Sequence, residues 1–238
     1  MTAPVSSNSS ADGFVQRTQR LRADLASQGR RVQALLEAAF AAIFSRDAQA
    51  AKAVATLDDA IDAVDVELEK ACVQLLADAT RQGAELAPAQ LREVLTIVKV
   101  NNELERVADI GVELADMVIG AKLGGLPFPD TFRVMANSVI GIVRDAITSV
   151  HKADPSLANI VLQSQHAVSA FKDAVLRDAE DKLSKGLMPA DFAFGLHEVA
   201  TACEVIADHC TNVAEQVIYQ TTGSIVRHAT TGWGKVGG

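Results

Sequence analysis

Sliding the sequence by 99 residues lays LERVADIGVELADMVI, residues 104–119, on CEVIADHCTNVAEQVI, residues 203–218. Glu105 falls on Glu204, Ala108 on Ala207, Asp109 on Asp208, Ala115 on Ala214, Val118 on Val217 and Ile119 on Ile218, while Val107, Leu114 and Asp116 meet conservative partners. Self-similarity at a fixed spacing marks a supersecondary unit used twice. Each half of the chain is therefore expected to fold alike.

Apolar periodicity fixes the kind of unit. A first helix is expected from Asp12 to about Arg46, with Leu21, Leu25, Val32, Leu35, Leu36, Ala39 and Ile43 as its stripe. A second runs from near Asp47 to the break at Gly83, and a third, opened by Pro88, carries the repeated segment to Lys122. LGGLPFPD, residues 123–130, holds two glycines and two prolines and is the strongest break in the chain. Beyond it three more helices are expected, from Thr131 to Lys152, from Pro155 to Lys185 and from Ala190 to Thr222. Aromatic residues make up only 4% of the chain and alanine is abundant, which favours helices packed through small side chains. The expected fold is all-α: six helices forming two pseudo-symmetric three-helix bundles, 12–122 and 131–222, joined by the linker 123–130. A disordered arm, 1–11, precedes them, and a C-terminal cap and tail, 223–238, follows.

The acids of the repeat are placed against the stripe. Leu104, Val107, Ala108, Gly111, Leu114, Ala115 and Val118 lie along one line of the third helix, and Glu105 and Asp109 flank that line at about 100°. With Glu113 they form a ladder of like charges, repulsive by roughly 0.2–0.5 kcal/mol per pair even when exposed. Helix two supplies further carboxylates in LDDAIDAVDVELE at Asp58, Asp62 and Asp65. Acids from two antiparallel helices suit a hard, oxygen-preferring cation, which would remove the repulsion. A solvated acidic face is the alternative reading.

Other chemistries lack a seat. A formal charge of −8 argues against nucleic acid as a partner. A di-iron oxidase needs Glu-x-x-His, and no histidine among His151, His166, His197, His209 and His228 has an acid three residues before it. His209 follows Asp208 but points about 100° away, and it is read as a surface or partner-facing residue. No phosphate loop, nucleophile elbow or HExxH sequence occurs, so no enzyme is expected. Cys72, Cys203 and Cys210 form no Cys-x-x-Cys pair and read as core thiols in a reducing cytoplasm. No apolar run reaches the roughly 18 residues of a membrane span, and the N-terminal segment lacks the blocks of a signal peptide. A cytoplasmic protein is expected.

The doubled ELERVAD and CEVIAD segments, each closing a three-helix unit, together with NVAEQVIYQTTGSIVRH, resemble the PhoU family of bacterial phosphate-uptake regulators. The resemblance covers roughly residues 14–228, most specifically Asp208, His209, Thr211, Asn212, Ala214, Glu215, Tyr219, Gly223, Arg227 and His228. It implies a metal-binding protein carrying iron, zinc, manganese or magnesium, whose partners are the ATPase of a phosphate ABC transporter and a membrane sensor histidine kinase. The output it implies is restraint on uptake and repression of phosphate-starvation genes; a homo-oligomer, specifically a dimer, is also expected. Carried over by residue, a first metal cluster would use Glu105, Asp109 and Asp62, and a second Glu204 and Asp208. Asp58, Asp65, Glu113, Asn212 and Asp173 stand as additional metal or partner contacts. The chain departs from the family pattern at Glu113, where asparagine is usual, at Val205, which replaces the arginine matching Arg106, and at Ser169, which stands at the position of Asp62. A helical scaffold without metal, or an accessory subunit of another phosphate permease, remains the alternative.

Overall fold

In the computed structural model the backbone is described for residues 7–121, 123–229 and 232–235, and side chains for 13–121 and 123–227. Six helices follow one another: α1 (Ser7–Ser45), α2 (Ala48–Arg81), α3 (Pro88–Ile119), α4 (Asp130–Lys152), α5 (Pro155–Ser184) and α6 (Ala190–Thr222). The helix ends are written in the local sequence. Asp47 caps α2 by accepting from the Gln49 and Ala50 amides at 2.8 and 3.1 Å, and Asp154 caps α5 in the same way through Ser156 and Leu157. Pro88 and Pro155 open α3 and α5, where a missing N–H costs nothing. Gly83, Gly186 and Gly223 take positive φ where α2, α5 and α6 stop.

Helices α1, α2 and α3 pack on one another as one bundle, and α4, α5 and α6 as another. The two are joined along α3 with α6 and α1 with α4. Leu25, Ala26, Val100, Leu104, Ile147, Val150 and Val213 meet where the bundles touch, around a void of only about 10 Å³, so one core runs through both halves. Gly111 lets α3 approach α1: a Cβ there would lie 2.3 Å from Leu35 Cδ2. All three cysteines are free and buried in this core.

The linker is held down. Arg46, at φ 54°, donates through Nε to the Leu123 carbonyl at 3.1 Å and through Nη2 to that of Leu126, and lies 4.6 Å from the centroid of the Phe128 ring. Phe128 in turn stacks on Phe132 and meets Phe44 edge-on.

Two boundaries differ from expectation. Helix α1 begins at Ser7 rather than near Asp12, so residues 7–11 of the expected disordered arm are helical, and residues 1–6 lie outside the described residues. The C-terminal cap contains an antiparallel hairpin, β1 (Val226–Ala229) with β2 (Gly232–Lys235), in the register Val226 to Lys235. Residues 230, 231 and 236–238 of the expected tail, and Lys122, lie outside the description. Among the described residues no helix is long and apolar enough to cross a membrane.

Candidate functional site

The seam between α2 and α3 gathers five carboxylates. Asp58, Asp62 and Asp65 follow one another along one face of α2, and Glu105 and Asp109 stand on α3. One oxygen of Asp58, Oδ1, is buried with no hydrogen-bond partner. Burial, and then the negative charges of Asp62, Asp109 and Asp59, push the Asp58 carboxyl up to about 6. Glu105 is also raised, by burial first and then by Asp109, Asp65 and Asp62. Asp65 is raised by burial, Glu69 and Asp62, although it accepts from Asn101 Nδ2 at 2.7 Å. Among the described residues none of the five is in an ion pair. The all-oxygen, uncompensated donor set and the orphaned Asp58 oxygen fit a hard cation in kind. As the side chains stand, no three acidic, histidine or cysteine groups among the described residues form a ready-made ligand set.

The matching seam between α5 and α6 is built differently. Glu204 accepts from Ser169 Oγ at 2.8 Å and from Lys172 Nζ at 2.5 Å. The lysine, followed by the serine, holds the Glu204 carboxyl below its ordinary value against the opposing pull of burial. Asp208 accepts from Gln165 Nε2 and is raised, chiefly by burial. Asp173, expected as a substitute ligand, is exposed and takes no part in these contacts. The residues of this seam do not fit a metal centre: its acidic pair already has an ammonium on it.

Between α3 and α6, where the bundles meet, lies a polar cavity of about 840 Å³ lined by Asp65, Lys99, Asn101, Glu103, Glu215 and Arg227 among others. Glu103 accepts from Asn212 Nδ2 at 3.1 Å and lies 2.7 Å from His209 Nδ1. Burial opposes the Glu103 charge, but His209, Asn212 and Arg106 together bring its carboxyl below the usual range. His209, half-buried, therefore does not stand free on the surface; it ties α6 to α3. Asn212 likewise engages Glu103. Glu215, only 6% exposed, pairs with Arg227 from the hairpin, and burial nonetheless leaves its carboxyl raised. Glu113 faces elsewhere, into a second groove of about 670 Å³ with Ile110, Asp116, His197 and Val205, away from the acidic cluster.

Sequence reasoning missed Lys172, Glu103 and the partner of Glu215. The first had a signal: the same comparison that set Ser169 against Asp62 sets Lys172 against Asp65. Glu103 had none, because the repeat lays it on Ala202.

A family model described as the PhoU domain matches the chain twice, over residues 25–118 and 132–217. The sequence is 27% identical over 175 residues to the phosphate-specific transport system accessory protein PhoU homolog 1 of Thermotoga maritima, covering 73% of either chain. It is 26% identical over 218 residues to the PhoU homolog of Pseudomonas putida, covering 90% of this chain and 83% of that one. The crystal structure of PhoU from Pseudomonas aeruginosa superposes with a TM-score of 0.79 at 25% identity, over 89% of this chain and all of the other. That of the phosphate transport system regulatory protein PhoU from Streptococcus pneumoniae, at 21% identity, gives 0.81 over 90% of this chain and 99% of that one, and speaks for the fold alone.

Proposed function

This chain belongs to the PhoU family, and on that premise we propose that it is a regulatory accessory protein of phosphate transport that acts through protein contacts rather than catalysis. Its partners would be the ATPase subunit of a phosphate ABC transporter and a membrane sensor histidine kinase. Its output would be restraint of uptake and repression of phosphate-starvation genes, from a dimer in the cytoplasm. The observation that carries the reading is the match of the family model to both halves, supported by relatives named as phosphate-specific transport system accessory proteins over most of their length.

Metal enters this reading at the α2–α3 seam. Glu105, Asp109 and Asp62, with Asp58 and Asp65 beside them, would hold an iron, zinc, manganese or magnesium ion. When bound, such an ion supplies positive charge that neutralises the cluster. The chain's own part is to hold five carboxylates on two rigid helices, with Asn101 fixing Asp65 at 2.7 Å. Side-chain rotation is what would draw them together. The arrangement presents a face whose charge depends on cation supply, a suitable signal for a partner to read.

Two experiments test the reading. Deleting the gene should raise phosphate-starvation reporters in phosphate-rich medium, and unchanged reporters would remove the regulatory assignment. A ligand that binds only the folded state stabilises it by RT ln(1 + [L]/Kd), so chelator should lower the melting temperature of the metal-loaded chain. Glu105→Ala with Asp109→Ala should abolish that response. A metal-free scaffold, or a subunit of another phosphate permease, is the reading favoured by the dispersed carboxylates, and a chelator-insensitive wild type would select it.

A further inference from the structure

A shift of 107 residues carries α2 onto α5 and lays Asp58, Asp62 and Asp65 on Gln165, Ser169 and Lys172. These three α5 residues are the ones that touch the acidic pair of α6. Gln165 donates to Asp208, Ser169 donates to Glu204 at 2.8 Å, and Lys172 donates to the other Glu204 oxygen at 2.5 Å. Every α2 aspartate of the first seam thus has a counterpart on α5 that is a neutral or cationic donor. We propose that Lys172 is the built-in cation of the second repeat, replacing a metal ion there, so that the chain binds a divalent cation through its first repeat only.

The donor chemistry argues this directly. Both Glu204 oxygens and one Asp208 oxygen are engaged by donors within the chain. The Lys172 side chain is itself largely covered, 20% exposed beside a Glu204 at 27%. An incoming ion would have to displace a positive charge from its counter-ion, and would gain mostly neutral amide and hydroxyl oxygens in place of carboxylates. Hard divalent cations do not favour that exchange. The first seam offers the opposite case, five carboxylates with no cation paired to them among the described residues. A molecule built as a repeat therefore carries one seam set by cation supply and one whose Glu204 has a permanent counter-charge.

This inference rests on the metal reading above for the first seam but not for the second, and the test separates them. In chelator, Lys172→Met, Glu204→Gln and their combination form a double-mutant cycle read by thermal melting. Lys172→Met should lower the melting temperature by about 2–4 °C and the double variant should recover most of it. A Lys172→Met protein as stable as wild type overturns the inference whatever the metal results. In the metal arm, full-length variants are equilibrated with Mn²⁺, dialysed and measured for bound manganese. Glu204→Ala with Asp208→Ala should leave the wild-type content unchanged, and Ser169→Asp with Lys172→Asp should add about one ion per chain. Manganese lost on removing Glu204 and Asp208, or none gained by a folded Ser169→Asp, Lys172→Asp protein, overturns the inference. A wild type that binds no manganese refutes the first-seam reading instead, and the cycle still decides Lys172.

Discussion

Asp58 holds one carboxylate oxygen in the α2–α3 seam without a hydrogen bond, beside like charges. Its carboxyl titrates at about 6 when folded, against 3.8 in the unfolded reference. Between those values the folded chain keeps a proton that the unfolded chain has released, so metal-free stability falls as pH rises through that window. Asp58→Asn removes the penalty. Allowing for solvent screening, it should stabilise the metal-free chain at pH 7 by roughly 1 kcal/mol, or about 2–4 °C, and flatten the change between pH 4 and 6. Melting curves in chelator across that range check it, and a variant that melts below wild type at pH 7 would contradict it. At this scale the acids were legible and their partners were not. Glu105 and Asp109 announce themselves by repetition, and Asp58, Asp62 and Asp65 by the spacing of one helix face. The contact of His209 with Glu103 joins helices of different bundles, and no periodicity within one helix encodes such a pairing.

The helices were legible because their signals are local. Caps at Asp47 and Asp154, prolines at first turns and glycines at the ends fix the boundaries of α2, α3 and α5 with little help from tertiary structure. The start of α1 was not, since a serine-rich segment has no strong stop signal, and the short hairpin lacks the apolar alternation that marks a strand. How closely two helices approach is equally hidden. Gly29 on α1 faces Ile147 on α4, and a Cβ at Gly29 would meet three Ile147 carbons at 2.6 to 3.0 Å. Alanine is the better helix former by up to about 1 kcal/mol, but forcing apart a packed, β-branched contact costs typically 1–3 kcal/mol. Gly29→Ala should therefore destabilise by roughly 1 kcal/mol, and Ile147→Val should recover part of the loss in the double variant. Urea unfolding of the four proteins measures both effects; a stabilised Gly29→Ala would show that the bundles part at no cost.

Across the whole molecule, the two bundles are joined by an apolar seam below and a polar cavity above it, and the hairpin reaches back over that cavity through one ion pair. Glu215 sits on α6 with its side chain 7% exposed, and its partner Arg227, at 47%, comes from beyond the end of the last helix. Removing the arginine leaves a buried carboxylate without its counter-charge. Fully buried pairs lose about 3–5 kcal/mol on such a change, and the exposed guanidinium brings the expectation here to roughly 2 kcal/mol, or about 4–8 °C. Burial already holds the Glu215 carboxyl above its ordinary value, so the folded chain takes up a proton there more readily than the unfolded chain does, and the Arg227→Ala defect should shrink as pH falls toward the carboxylate range. Glu215→Gln in the same chain abolishes the uncompensated charge and should return most of the lost stability at neutral pH. Thermal melting of Arg227→Ala and of the double variant at two pH values separates this electrostatic account from a purely mechanical one. If the hairpin only shields the cavity, the double variant will melt as low as the single, and the defect will not depend on pH.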